Sequence, residues 1–349
     1  MKAQTWPAED LEDVPSCPVC ASTERQLLYA DLTDRVFGLT PGQWTIYRCA
    51  SCRSAWLDPR PDRGSIGRAY EDYVTHVADD DVSVLPTSRL IRWLHAWIND
   101  YKNARYGLTR APAAPGGRWL VRFVPSIRAK ADAQCRHLPR LRPSERGRRL
   151  LDVGFGNGGF LKLAGEMGWN AEGIDFDAKA VEVARAQGLK VRCASVDELL
   201  QQNVQYDVVT ISHVIEHVQE PGKLLKDLYR LLTPGGILWL ETPNLESTGA
   251  YRFGSDWMAL DPPRHLLLFN PQSLRTCLRD AGFQEIVQRW HGMIPLTIYP
   301  ASVAIAQGGI AQHARMKPLP SLAAVWSELT AMVRPARREF LTFTARKSP

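Results

Sequence analysis

The sequence predicts an α/β protein whose main domain is a doubly wound sheet of seven strands, and three observations support this fold class. From residue 149 onwards, apolar runs of strand length alternate with stretches of helix length, an order typical of a mostly parallel sheet with helices on both faces. A turn with four glycines separates the first of these runs from its helix. The 349-residue chain is 45% hydrophobic and 23% charged, which is the balance of a globular protein.

The N-terminal segment, residues 1–60, predicts a small zinc-ribbon domain. Its four cysteines form two CxxC pairs, Cys17 with Cys20 and Cys49 with Cys52, and four thiolates make a closed tetrahedral zinc site. A metal would contribute folding free energy to a segment too small to bury a large core. We therefore expect a structural Zn²⁺, because two pairs favour zinc over the alternative of a redox-active CxxC.

Residues 61–147 predict a helical, basic linker. Helices are expected at 86–110 and 119–137, on either side of the break APAAPGG. From residue 84 to residue 149 there are 15 Lys and Arg against three acids, a net charge of +12 (15 − 3) in a chain whose total is +6. Such helices, which also bear tryptophan, could make peripheral contact with an anionic membrane, face nucleic acid, or simply pack on the next domain with a solvated surface.

Residues 148–349 predict the main domain, with a helical insertion at about 291–337. The expected strands are 149–153, 171–175, 190–193, 206–212, 237–242, 285–290 and 339–345, and the expected helices are 159–167, 178–187, 222–232 and 271–280. No run reaches the ~18 apolar residues of a membrane-spanning helix. The N-terminus also lacks the apolar core of a signal peptide, so we expect a cytoplasmic protein.

The glycine-rich turn, within LLDVGFGNGGF, predicts a loop that binds a nucleotide-type cofactor. Its glycines also fit the dinucleotide fingerprint GxGxxG, so they do not by themselves distinguish S-adenosylmethionine (SAM) from NAD. Asp152, two residues before the first glycine, favours SAM, because a carboxylate attracts an ammonium and a sulfonium but repels a pyrophosphate. Asp175, at the end of the next strand, could hold the ribose of either cofactor.

Four segments in order, LLDVGFGNGGFL, GIDFD, YDVVTISHVIEHVQEP and LLTPGGILWLETPN, resemble successive motifs of the class I SAM-dependent methyltransferases. The resemblance covers about residues 148–283 and implies a Rossmann-like methyltransferase sheet whose last strand enters antiparallel. It also implies that cofactor contacts come from the ends of the strands. The residues concerned are Asp152, Gly154, Gly156, Gly158, Asp175, Phe176, Ser195 and His213.

The stretch SHVIEH resembles the segment that flanks the methyl-transfer site in related methyltransferases. It also spells HxxEH, an inverted zinc-protease motif, but it follows a sheet strand rather than lying in a long helix. In plant small-RNA 2′-O-methyltransferases a similar stretch, with a glutamate in place of His213, binds a divalent metal together with a distant histidine. Glu216 and His217 are therefore candidate catalytic residues, and a metal at this point stays an open alternative.

The loop DPPRHLLLF resembles the place where deoxysugar C-methyltransferases carry a Glu-His pair beside the substrate. Here the pair is Arg264-His265, so the glutamate of that chemistry is missing. His265 or His217 could act as the base that deprotonates an acceptor hydroxyl. Arg264 could anchor a phosphate or carboxylate of the substrate.

The segment after the ribbon resembles that of a bacterial subgroup of these enzymes found among glycan and natural-product pathways. Its Tyr73 and His76 could close over the substrate. The sequence therefore predicts transfer of a methyl group to a small-molecule or sugar acceptor, most readily at oxygen, with no nucleic-acid partner. An NAD-dependent oxidoreductase, or a SAM-fold module that binds nucleic acid or a partner protein, is the alternative.

Overall fold

The structure is a computed structural model that describes residues 5–70, 89–314 and 320–349. Helices and strands are labelled in chain order. The N-terminal strands are β1 (Leu11–Glu12), β2 (Arg25–Leu32), β3 (Trp44–Cys49), β4 (Ala55–Leu57) and β5 (Arg60–Pro61). They are followed by the helices α1 (Arg89–Tyr106), α2 (Gly117–Leu120) and α3 (Pro125–Gln134). The alternating elements begin with β6 (Arg149–Val153), α4 (Gly159–Glu166), β7 (Asn170–Asp175), α5 (Ala178–Ala186), β8 (Val191–Cys193) and α6 (Val196–Gln201). The remaining elements are β9 (Tyr206–Ser212), α7 (Pro221–Leu231), β10 (Leu232–Pro243), α8 (Thr248–Phe253), β11 (Leu267–Leu268), α9 (Pro271–Asp280), β12 (Gln284–Arg289), α10 (Pro295–Ala306), α11 (Leu322–Val333) and β13 (Phe340–Arg346).

Seven strands form the central sheet in the order β12-β13-β10-β9-β6-β7-β8. The ladders from β10 to β8 are parallel, whereas β13 runs antiparallel to both of its neighbours. The middle strands are apolar along most of their length because helices cover both faces, as Leu150 and Leu151 show by being completely buried. The predicted fold class, including the antiparallel last strand, is confirmed.

A second sheet, in the order β11-β4-β3-β2, joins the N-terminal segment to the main domain. Its strand β11 comes from the loop after β10, and it pairs with β4 through Leu267 opposite Trp56 and Leu268 opposite Ala55. The neighbouring backbone adds a hydrogen bond from the Leu57 amide to the Leu266 carbonyl, 3.0 Å long. The sequence motifs did not predict this shared sheet, because β11 is only two residues long.

The basic segment is helical, but the second helix differs from its prediction. A helix over 119–137 would need Pro125 in its interior, where the ring has no N–H to donate and clashes with the preceding turn. The chain instead forms α2, a short 3₁₀ turn at Val121–Phe123, and then α3 with Pro125 as its first residue. None of the helices in the described part of the chain combines the length and the apolar character needed to cross a bilayer.

Glu339, just before β13, gives the fold a pH dependence that can be measured. Its carboxyl group accepts hydrogen bonds from the Gly249 amide (2.8 Å) and the Ser327 hydroxyl (3.1 Å), and burial raises its pKa to about 7. The folded protein therefore retains a proton that the unfolded chain releases at lower pH, so stability falls as the pH rises from about 4.5 through 7. Through this group the parent should lose about 2–3 kcal/mol of its free energy of unfolding between pH 5 and pH 8, as measured by urea unfolding. The Glu339→Gln variant should not show this loss.

The matched control for this measurement is Glu182→Gln on the exposed side of α5. That variant should lose stability with pH as the parent does. If the free energy of unfolding fell equally with pH in Glu339→Gln and in the parent, the pH dependence would not come from Glu339.

Candidate active site

A cavity of about 920 Å³ opens at the carboxyl ends of β6, β7, β9 and β10. This is where open α/β sheets place their ligands. Phe37 of the N-terminal segment and Tyr70, which follows that segment, line its other side, together with Met258 and Ile298. Residues of the N-terminal segment and of α10 thus complete a cavity whose floor is the central sheet.

The glycine-rich turn lines the cavity with bare backbone. A Cβ on Gly154 (φ +69°) would lie 2.5 Å from the Cγ2 of Val214, whereas a Cβ on Gly156 (φ +57°) would meet nothing within 4 Å. Gly156 therefore offers open space beside the main chain, which suits a ligand that approaches closely. Gly158 (φ +80°) precedes α4, and there a larger side chain is excluded by packing within the protein, because a Cβ would lie 2.5 Å from Leu189.

Asp175 and Phe176 follow β7 directly and both line the cavity. The Asp175 carboxylate accepts hydrogen bonds from the amides of Gly156 (3.3 Å) and Asp177 (3.0 Å), and burial raises its pKa. The Phe176 ring is 68% exposed and lies edge-on to the ring of Tyr70, with 5.5 Å between centroids. A carboxylate and an exposed aromatic face thus stand side by side.

Asp152 does not lie where the sequence analysis expected it. Its side chain is completely buried and is absent from the described cavity lining, and Arg136 and Thr210 donate hydrogen bonds to its Oδ1, the latter at 2.7 Å. Arg136 covers it from behind the strand, between the rings of Phe160 and Trp239. The Oδ2 atom has no hydrogen-bond partner, and burial raises the pKa of the carboxyl group.

His217 and His265 face each other in the cavity, with 4.8 Å between ring centroids. The Nδ1 of His265 lies 2.8 Å from the Ala259 carbonyl, and the Nδ1 of His217 lies 2.9 Å from the Arg264 carbonyl. A carbonyl can only accept, so each Nδ1 carries the hydrogen and each Nε2 keeps a lone pair. Burial, together with repulsion between the two rings when both are protonated, lowers the pKa of His217 to about 4, and burial lowers the pKa of His265. Both rings are therefore neutral bases at physiological pH.

Glu216 lies fully buried beside these histidines. Thr242 donates to its Oε2 (2.9 Å), and the Nδ1 of His213 lies 3.1 Å from its Oε1. Although burial opposes ionisation, the hydrogen bond and the charge of His213 lower the pKa of Glu216 to about 2. Burial likewise opposes protonation of His213, yet its two buried carboxylate neighbours, Glu216 and Glu241, raise the pKa of the imidazole.

Glu241 and His291 extend this network and were not identified in the sequence. The Nδ1 of His291 lies 2.9 Å from the Oε2 of Glu241, and Thr342 donates to the same oxygen at 2.6 Å. Burial opposes ionisation of Glu241, but the charge and hydrogen bond of His291 lower its pKa to about 2. The signal in the sequence was a carboxylate near the carboxyl end of the buried strand β10, where a charge needs a partner.

Arg264 is completely buried and is not part of the cavity lining. Its guanidinium donates to both oxygens of Asp34 (2.6 and 3.1 Å) and to Asp261 (2.5 Å). These carboxylates neutralise the guanidinium. Arg264 is therefore not placed to anchor a phosphate or carboxylate of the substrate, contrary to the expectation from the sequence. Arg264 instead ties the loop that carries His265 to the N-terminal segment, where it also stacks on Phe37.

The remaining predicted positions are placed as follows. Ser195 lines the cavity and caps α6, because its hydroxyl accepts from the Glu198 amide at 3.2 Å. Tyr73 and His76 lie outside the described residues. Tyr70, which precedes them, has its hydroxyl 2.9 Å from the Nδ1 of His217.

The charged groups of the described cavity lining are mostly acidic. Besides His213, which pairs with Glu216 and Glu241, they comprise six carboxylates, Asp175, Asp177, Asp197, Glu220, Asp227 and Asp261, and two Arg or Lys cations, Arg63 and Lys223. Both cations have carboxylate partners: Arg63 pairs with Glu220, and Lys223 with Asp197 and Asp227. The resulting negative potential attracts a cationic ligand and repels an anionic one.

The four ribbon cysteines meet at one point, with their sulfur atoms all within 4.8 Å of one another. The Sγ atoms of Cys17 and Cys52 are 3.5 Å apart, as are those of Cys20 and Cys49. Zinc–thiolate bonds of ~2.3 Å in a tetrahedron require sulfur separations of roughly 3.8 Å, so the cluster has the dimensions and the chemistry of a zinc site. Glu216, His217 and His265 form a second such group, with ligand atoms that also lie within 4.8 Å of one another.

Comparison with known proteins agrees with this geometry. Residues 127–288 match the family described as "Methyltransferase domain". The ubiquinone biosynthesis O-methyltransferase of Bordetella avium (strain 197N) is 31% identical over 174 residues, which are 46% of this chain and 72% of that protein. The chain belongs to the class I SAM-dependent methyltransferases. The alternative of an NAD-dependent oxidoreductase is therefore wrong.

Two further similar proteins are a second O-methyltransferase and a solved methyltransferase structure. The ubiquinone biosynthesis O-methyltransferase of Xanthomonas oryzae pv. oryzae (strain PXO99A) is 34% identical over 152 residues, covering 40% of this chain and 63% of that protein. A solved SAM-dependent methyltransferase from Archaeoglobus fulgidus is 20% identical, with a TM-score of 0.41, and covers 66% of this methyltransferase and 92% of that chain. The family match begins within α3, so the ribbon and the helices α1 and α2 lie outside it.

Proposed function

We propose that this methyltransferase transfers the methyl group of SAM to a hydroxyl oxygen of an uncharged small molecule, which includes sugars and glycan precursors. The observation that carries the proposal is the pair of neutral imidazoles, His217 and His265, that face each other in an acidic cavity. The Bordetella and Xanthomonas relatives named above are O-methyltransferases, which supports oxygen as the methylated atom.

The residues of the cavity fit SAM. Gly156 leaves open space beside the backbone, Asp175 presents a carboxylate to a ribose, and Phe176 presents a bare ring to an adenine. Gly154 and Ser195 would complete the contacts, with His213 beside the sulfonium end. When bound, SAM supplies an electrophilic methyl group on a positively charged sulfur, which the six lining carboxylates favour electrostatically.

His265 is the base that we favour, and His217 is the second candidate. A neutral imidazole whose Nδ1–H is held by a carbonyl presents its Nε2 lone pair in one fixed direction. That Nε2 would accept the proton of the acceptor hydroxyl as the methyl carbon–oxygen bond forms and the methyl carbon–sulfur bond breaks, with S-adenosylhomocysteine as the neutral leaving group. The ionised Glu216 would then stabilise the imidazolium, since opposite charges in a buried site interact strongly.

The negative charge of the cavity limits which acceptors can enter it. Among the described residues that line it, both cations are paired with carboxylates, and Arg264 is neutralised behind the wall. A phosphate or carboxylate on the acceptor would therefore be buried without a partner, at a cost of several kcal/mol. We infer that the acceptor carries neither group at the end that enters the cavity.

A divalent metal held by Glu216, His217 and His265 is the competing account of the same site. It would bind the acceptor oxygen as a Lewis acid in place of a base. Transfer that is lost on dialysis against a chelator and returns with added Mg²⁺ or Zn²⁺ would favour the metal. Transfer at full rate after dialysis would favour the base.

In the N-terminal segment we propose that the four cysteines hold a structural Zn²⁺. The division into a ribbon (1–60), a helical linker (61–147) and a methyltransferase domain (148–349) with an insertion at about 291–337 is proposed with it. The supporting observation is that the two CxxC turns have the same geometry. Ala21 (φ +60°) and Arg53 (φ +62°) follow the second cysteine of each pair and donate their amides to the carbonyls of Cys17 and Cys49.

The cofactor site is tested by calorimetry with Asp175→Asn. The amide keeps the shape of the side chain but removes the charge and one acceptor, so we expect SAM affinity to fall roughly 10–100-fold, as for a lost hydrogen bond to a charged group. Asp207→Asn, at the opposite end of the sheet, is the matched control and should bind SAM as the parent does. Equal affinities for parent and Asp175→Asn would exclude the proposed ribose contact.

The reaction is tested with isotopically labelled SAM and two acceptor panels, one of neutral hydroxylated metabolites and sugars and one of their phosphorylated forms. We expect label only in the neutral panel, as an ether. Transfer to the phosphorylated panel alone would overturn the inferred acceptor charge. SAM binding without transfer to any acceptor, together with salt-sensitive binding to oligonucleotides, would favour the alternative of a binding module.

A further inference from the structure

Helix α11 has its apolar residues on the outside, which is the reverse of an ordinary surface helix. Leu322 is 88% exposed, Trp326 70%, Leu329 51% and Val333 77%, and they recur at the spacing of one helical face. With Val325 and Met332 they form what we call the outer face of α11. A contiguous apolar face of this kind on a protein marks a surface that something else covers.

The polar side chains of α11 fix this orientation from within. Ser327 and Glu328 are buried on the opposite side of the helix. The Ser327 hydroxyl donates to Glu339 (3.1 Å), and the Glu328 carboxylate accepts from the Met293 amide (2.9 Å). Turning the helix to hide the outer face would break both hydrogen bonds and expose the small residues Ala324 and Ala331, so the reversed pattern belongs to the fold.

A second apolar surface lies in the basic segment. Trp119 (62% exposed), Leu120 and Phe123 (79% exposed) protrude from α2 and the turn after it. Helix α3 continues from that turn and contacts α11. These surfaces and the outer face of α11 together contain most of the large apolar side chains that are exposed in the described chain.

The charges around these apolar residues are positive. No acid occurs between Asp100 and Asp132, where the chain carries Arg122, Arg128 and Lys130, all exposed. On α11 the single acid is the inward Glu328, and the exposed Arg334 follows the helix. Exposed tryptophan, phenylalanine and leucine among arginines are the composition of a surface that rests in the interface of an anionic bilayer.

A groove of about 540 Å³ beside the outer face of α11 supports the same occupant. Tyr251, Trp326, Leu329 and Val333 form apolar walls, and Arg334 and Arg337 are the two cations of the lining. Apolar walls with guanidinium groups match the acyl chain and the phosphate of a lipid. A second copy of the chain fits less well, because a two-fold contact of this surface with itself would bring like charges together.

We propose that α2, the turn after it and the outer face of α11 form a binding surface for anionic membranes, which positions the methyltransferase on a bilayer. The apolar side chains enter the interface, and the arginines bind lipid phosphates. This inference does not depend on the methyl acceptor.

The test is co-sedimentation of the full chain with vesicles of phosphatidylcholine, either alone or mixed with phosphatidylglycerol. We expect binding to the mixed vesicles that weakens as salt is added. The double variant Trp326→Ser/Leu329→Ser should bind at least about tenfold more weakly, because two large apolar side chains no longer enter the interface. Arg122→Gln/Arg128→Gln should lose the preference for the anionic lipid.

The matched control is Leu27→Ser, which removes a similarly exposed leucine (60%) from β2, away from this surface. It should bind vesicles like the parent, and all variants should bind SAM like the parent, which shows that they are folded. Equal sedimentation of the Trp326→Ser/Leu329→Ser variant and the parent would overturn the proposal, as would the absence of binding to mixed vesicles. A dimer of the parent that this variant dissociates, without lipid binding, would assign the surface to a second copy.

Discussion

Replacing His265 with glutamine is expected to lower the rate of methyl transfer by roughly 100- to 10,000-fold, the range for loss of a general base. Glutamine keeps a polar side chain of similar length but cannot take up a proton. Because His265 comes from the loop after β10 and not from the glycine-rich turn or the end of β7, SAM affinity measured by calorimetry should be unchanged. The loss should therefore fall on kcat in a steady-state assay.

Two companion variants separate the role of His265 from that of its neighbours. His217→Gln should have the smaller effect if His265 is the base, whereas the reverse order would assign the proton transfer to His217. His313→Gln, at an exposed position in the insertion, is the matched control and should retain the parent rate. Retention of the parent kcat by both His265→Gln and His217→Gln would contradict base catalysis by either histidine.

The fold and the family could be read from the sequence because they depend on local patterns. The alternation of strands and helices, and a glycine turn between Val153 and α4, both follow from residues close together in the chain. The order of four motifs then identified the family. The prediction of a single helix over 119–137 was wrong. The side chains there follow a helical pattern, and the prediction gave that pattern more weight than Pro125, which divides the segment.

The arrangement around the site could not be read in the same way because its contacts join distant segments. Arg136 neutralises Asp152 from outside the strand, and its position depends on the left-handed backbone at the end of α3 (φ +48°). Asp34, some 230 residues before Arg264, neutralises that guanidinium. No spacing rule connects such partners, so the sequence showed two free charges where the folded chain has two closed ion pairs.

Loss of the ribbon metal should have the second large effect, because the ribbon supports the loop that carries His265. Cys49 ends β3, which pairs with β4, and β4 pairs with β11 two residues after His265. The Asn270 side chain also donates to the Cys52 carbonyl at 2.8 Å. We expect the purified protein to contain one zinc per chain by mass spectrometry, and Cys49→Ser to contain none.

The Cys49→Ser variant should lower kcat at least about 100-fold, since misplacement of a catalytic group by ~1 Å has an effect of that size. Its main sheet should remain folded, because the central sheet and the helices on it contribute most of the buried side chains of a core that Cys17, Cys49 and Trp56 only join, and SAM binding at Asp175 should therefore persist. Cys193→Ser, an exposed cysteine outside the cluster, is the matched control and should keep both zinc and activity. A zinc-free Cys49→Ser protein with the parent kcat would show that the ribbon does not position His265, whatever it contributes to stability.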